Sequence, residues 1–101
     1  MLVRRYSKCS LGLASVTVGA DATLESLLVA VGKSILPTVC NLSVINTGSA
    51  DIKIDNVTTT AASYVLKANN GITFRTCPAD AKTIHVASAG STLSVQQEGE
   101  G

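Results

Sequence analysis

The residues able to do chemistry in this sequence are few and widely spaced. His85 is the one histidine, and it sits between Ile84 and Val86. If those two point inward along a strand, His85 points away from the core. No second ligand and no nucleophile stands near it in sequence, which leaves a histidine facing solvent or a neighbouring chain. The three cysteines, Cys9, Cys40 and Cys77, are odd in number and contain no CxxC pair. That pattern fits neither a disulfide framework nor a zinc site, so the expectation is reduced thiols in a cytosolic setting. Cys40 alternates with Leu42 and Val44 and reads as a small core hydrophobe, whereas Cys77 beside Pro78 reads as a loop residue. Asp51, Asp55 and Asp80 fall at expected turns, where aspartate bonds its own backbone. A general acid–base pair needs two carboxylates held at fixed separation, and calcium needs a regular ligand spacing; neither pattern is present.

The glycines follow the same logic. Gly48, Gly71 and Gly90 are dispersed over separate turns, and no phosphate-cradling GxGxxG or GxxxxGK occurs. Asn41-Leu42-Ser43 and Asn56-Val57-Thr58 match the glycosylation sequon but have no export signal beside them, and Thr58-Thr59-Thr60 reads as an exposed edge or loop. The sequence therefore assigns no catalytic, cofactor-binding or metal-binding residue, no small-molecule substrate and no enzymatic activity. The remaining candidates are at the N-terminus, where Arg4, Arg5 and Lys8 flank Tyr6. These residues are read as an interface that meets acidic groups on a neighbouring subunit. The Arg4-Arg5 pair followed by Leu11 to Ala14 has the outline of an export signal. Its apolar part is short and interrupted by Ser10, Ser15 and Thr17, so no signal is expected.

Composition bounds the class of protein. The chain of 101 residues has room for one domain. Hydrophobic residues make up 46% and charged residues 15%, against roughly 25% charged in ordinary soluble domains. So little charge points to a surface largely covered by other protein, and hence to self-association. Eight basic against seven acidic residues, with 3% aromatics, show no basic stripe with stacking rings, so nucleic acid is not an expected partner. No apolar run reaches membrane-spanning length.

The patterning reads as a mainly β, single-domain antiparallel sandwich of about seven short strands with one short helix. Residues 1–13 are expected to be an arm outside the sandwich, and residues 14–101 the sandwich domain. Ala14 to Val18 alternates and is β-branched. Leu24, Leu27, Leu28 and Val31 fall at helical spacing within residues 23–32, with Thr23 or Asp21 able to cap the start and Gly32 placed for a left-handed end. Val39 to Ile45 and Asp51 to Ile54 then read as a hairpin around Asn46-Thr47-Gly48-Ser49. Tyr64 to Lys67 and Ile72 to Thr76 read as a second pair around Asn69-Asn70-Gly71. Thr83 to Ala87 and Thr92 to Gln97 flank Ser88-Ala89-Gly90-Ser91.

From Thr23 onward the chain resembles small virion proteins of tailed bacteriophages. The motifs are Thr-Leu-x-x-Leu-Leu (Thr23 to Leu28), Leu36-Pro37, and Asn-x-Gly-Ser-Ala-Asp (Asn46 to Asp51) leading into Ile-x-Ile. They continue with Val57 to Thr59, a closing Ile-x-Val strand, Ala89-Gly90 and a final Leu-x-Val strand. Where the family often has Gly after its Ile-x-Ile strand, this chain has Asp55. The resemblance implies a capsid decoration or cement protein with no cofactor. Its partner would be the lattice of the major capsid protein, its state commonly a homotrimer, and its location the capsid surface after assembly in the host bacterial cytoplasm. It equally implies that head–tail or tail accessory subunits belong on the list. A receptor- or carbohydrate-binding module would display more exposed aromatics than Tyr6 and Tyr64, and an enzyme accessory or inhibitor domain has no motif of its own here.

Overall fold

A computed structural model describes residues 9–100 of the chain, with side chains for residues 11–99. Arg4, Arg5, Tyr6 and Lys8 lie outside the described residues. The elements run β1 (Cys9–Val18), β2 (Ala22–Thr23), α1 (Leu24–Ala30), β3 (Val39–Asn46), β4 (Ile52–Asp55), β5 (Tyr64–Leu66), β6 (Gly71–Arg75), α2 (Pro78–Ala81), β7 (His85–Ser88) and β8 (Ser91–Glu100). The protein is mainly β, with two antiparallel four-stranded sheets ordered β1-β8-β3-β6 and β2-β7-β4-β5.

The pairings β1·β8, β2·β7, β3·β6 and β4·β5 are nested, as in one long ribbon of two antiparallel arms. Winding that ribbon brings β8 beside β3 and β7 beside β4, and these contacts complete the two sheets. An eight-stranded double sheet of this kind is a jelly roll. The three expected hairpins are corrected by it, since β3 and β4, β5 and β6, and β7 and β8 each lie in opposite sheets. Turn residues specify that the chain reverses; they do not specify whether the flanking strands then share hydrogen bonds. At the last of these turns Ala89-Gly90 alone joins the sheets, and Gly90 holds φ +134° to make the corner.

Alternation along the strands builds the core. Val16 and Val18 of β1, Leu42 and Val44 of β3, and Leu93 and Val95 of β8 face Ile52, Leu66 and Val86 of the other sheet, all buried. β1 begins at Cys9 rather than Ala14, and residues 9–13 pair with residues 96–100 of β8. That part of the expected arm is therefore strand. Beyond the reach of the shorter sheet, the segment joining α1 to β3 covers the inner face of β1 and β8. The buried Gln97 holds it, accepting from the Leu36 N–H at 2.9 Å and donating to the Ser34 carbonyl at 3.0 Å.

The helix forms where its spacing predicts, with a small shift. The Thr23 hydroxyl caps the Ser26 N–H, and Gly32 at φ +78° closes the end. The N–H groups of Gly32 and Lys33 return to the carbonyls of Val29 and Leu28, the paired bonds of a Schellman end. Leu24 and Leu28 are buried and Leu27 half-buried, but Val31 is exposed because the helix has already ended at Ala30. Cys40 is also corrected. A bulge between Val39 and Asn41 makes it the extra residue, so Val39 takes the core position and Cys40 is half-buried.

Candidate interaction surface

The outward side of the β1-β8-β3-β6 sheet follows from the same alternation that fills the core. Its first row across the four strands is Leu11, Glu98, Asn41 and Arg75. The next row is Leu13, Gln96, Ser43 and Thr73, and the third is Ser15, Ser94, Ile45 and Gly71. Glu98 and Arg75 are the charged positions among these rows, and the rest are small polar or aliphatic. Leu11, Leu13 and Ile45 are 59%, 57% and 44% exposed, large for aliphatic side chains. Ser43 and Thr73 share a hydroxyl–hydroxyl bond of 2.8 Å, so even the polar groups in the middle are partly satisfied within the face. The surface has little charge to hold water. β1 forms the margin of this sheet, and residues 11–18 of that edge carry no charged side chain to discourage a partner.

The other sheet carries a cluster with catalytic residue types. The Asp21 carboxylate sits 3.0 Å from His85 Nδ1 and also accepts from the Thr59 N–H at 2.9 Å and the Thr59 hydroxyl at 2.8 Å. Asp55 lies directly across from His85 in the β4·β7 register and accepts from the Ser63 hydroxyl and the Asn56 N–H. The Thr59 bonds, backbone first, hold Asp21 below its ordinary carboxylate pKa, with His85 adding to the effect. Asp55 is lowered chiefly by Ser63 and then by Asn56. A nucleophilic triad needs the hydroxyl on the imidazole, and here the threonine gives its proton to the carboxylate instead. The arrangement ties the β4–β5 loop to the β1–β2 connection and to β7. No group of three His, Cys, Asp or Glu side chains gathers at metal-binding distance among the described residues.

His85 thus points outward as alternation predicts, between buried Ile84 and Val86, but it is paired rather than alone. Its partner, Asp21, lies 64 residues away, at a position that the sequence offers as a helix cap. Asp51 precedes β4 and pairs with Lys67 at 2.9 Å, while Asp80 lies in the short α2 rather than at a turn. Cys77, exposed, precedes that helix. Tyr64 on β5 is 54% exposed. Sequence patterning misses Arg75 and Glu98: Arg75 falls within an expected strand, but Glu98 lies beyond the expected strand end at Gln97, and the register that places the two in one row is not local. No protein-family profile matches the chain, and a search of curated proteins returns no match.

Proposed function

We propose that this chain is a non-enzymatic structural subunit of a virion, most simply a decoration protein that binds the major capsid protein lattice and stabilises the head. The observation that carries this reading is the broad, nearly uncharged outer face of the β1-β8-β3-β6 sheet, with exposed Leu11, Leu13 and Ile45. Such a face belongs under another protein surface, and the one His–Asp cluster has its protons committed to holding a loop. The sequence motifs shared with small phage virion proteins point the same way. The jelly roll recurs in capsid and lectin domains, so the fold is compatible with the role without specifying it. A subunit that binds the mature lattice and not its relaxed form stabilises the mature form by mass action. A head–tail or tail position is the second reading, favoured by the same motifs.

The test is to add the purified chain to empty shells built from the major capsid protein encoded with it. Saturable binding, with a rise in the temperature at which shells rupture, is the expected result. Binding to tails alone would move the assignment to the second reading, and binding to neither would overturn both.

A further inference from the structure

We infer that the outer face of β8, β3 and β6 is covered by a second copy of the same chain, related by a two-fold axis running along β3, with β1, two strands from that axis, outside the contact. This goes beyond the proposed role, which requires only that the face be covered by protein. The argument is the placement of its two charges. Asn41 of β3 is the register partner of Glu98 on one side and of Arg75 on the other. The acid and the base therefore flank β3 symmetrically, each about 4.8 Å from it. Neither makes an ion pair among the described residues, although Asp80 lines the same shallow groove as Arg75.

Rotation by 180° about β3 exchanges the two sides. It sets Arg75 of each copy over Glu98 of the other, and sets Ser43 and Ile45 against themselves. Face-to-face sheets stand about 10 Å apart, a gap that an extended Arg and Glu together span. A two-fold contact is self-complementary by construction, and here both of its charge pairs are of opposite sign. Covered without facing charges, the acid and the base would each be buried unpaired, which is costly.

The area sets the strength. Three overlapping strands about 4.8 Å apart and about six residues long give roughly 300 Å² of face per copy, well below the standard size of specific interfaces. The pair therefore belongs to the weak class and is populated chiefly where copies are concentrated. It is a two-fold contact, where the phage resemblance implies three-fold assembly.

Sedimentation of the full chain up to about 1 mM should show a monomer–dimer equilibrium that weakens with salt. Arg75→Glu and Glu98→Arg each place like charges in both contacts and should weaken the dimer at least about tenfold. Mixing the two variants should restore pairing, because the acidic copy meets the basic one at both contacts. Circular dichroism checks that each variant is folded; if either is not, Ser43→Glu and Ser43→Arg repeat the design at the axis. A wild-type chain that stays monomeric throughout, or sediments only as a trimer, overturns the inference. So does a pair of folded variants that gains nothing on mixing. No shell is present in these measurements, so they can fail while shell binding succeeds, and the reverse.

Discussion

Asn46 has no exposed surface, and its side chain bonds at three of the connections that cross between the sheets, β3–β4, β5–β6 and β7–β8. Its amide donates to the carbonyls of Ala50 at 2.8 Å and Leu66 at 3.0 Å, while its oxygen accepts from the Gly48 N–H and the Ser91 hydroxyl. Its backbone also exchanges bonds with Asn69 and Asn70. Asn46→Leu would leave those four groups to find other partners, and buried ones that cannot cost roughly 1–3 kcal/mol each. The expected loss is about 3 kcal/mol, read as a lower denaturant midpoint with the slope unchanged. A loss below 1 kcal/mol would mean that water reaches the site. Asp21 and Asp55 make a different prediction, because both have folded pKa values lowered from 3.8. Groups lowered on folding stabilise the protein above the unfolded pKa, and that contribution fades as pH falls through the folded value. Thermal midpoints should therefore drop steeply below about pH 4, and Asp21→Asn with Asp55→Asn should flatten that limb. An unchanged acid limb in the double variant would assign the loss to other carboxylates.

At the scale of elements, periodicity told where strands and the helix form, since alternation and helical spacing are local properties of the chain. Thr23 and Gly32 at the two ends of α1, and the turns at Asn46, Asn69 and Ala89-Gly90, were legible for the same reason. The pairing of strands was not legible. β7 and β8 are joined by two residues, yet one pairs with β2 and β4 and the other with β1 and β3. That choice depends on burying both inner faces at once, which no local window contains. The bulge at Cys40 and the Asp21–His85 pair were hidden likewise, because each depends on register between distant strands. Glycines at the corners give a test. Gly90 holds φ +134°, whereas a Cβ on Gly19 meets nothing within 4 Å and needs no left-handed backbone. Gly90→Ala should cost about 1–3 kcal/mol, and Gly19→Ala should be neutral within about 0.5 kcal/mol. Equal effects in thermal melts would show that the corner does not hold Gly90 in the left-handed region.

For the whole molecule, the question is where the sandwich stops and the proposed N-terminal contact segment begins. The sequence placed the boundary after Leu13, whereas β1 pairs with β8 from Cys9 onward. β8 has β1 on one side and β3 on the other, so removing residues 9–13 would strip half of one flank. The freed N–H and C=O groups of β8 would become an open edge next to an uncovered Gln97. Deleting residues 1–13 should therefore lower the thermal midpoint by several degrees and promote aggregation. Deleting residues 1–8 removes none of the described pairings but takes away Arg4, Arg5 and Lys8, three of the eight basic side chains. On the proposed role, this shorter deletion leaves the melt unchanged and weakens attachment to shells, with the difference from the full chain shrinking as salt is raised. Both deletions are measured side by side, by thermal melt and by co-sedimentation with shells. If the 1–8 deletion binds shells as the full chain does, the basic residues are not the contact. The attachment surface would then have to be sought within residues 9–100.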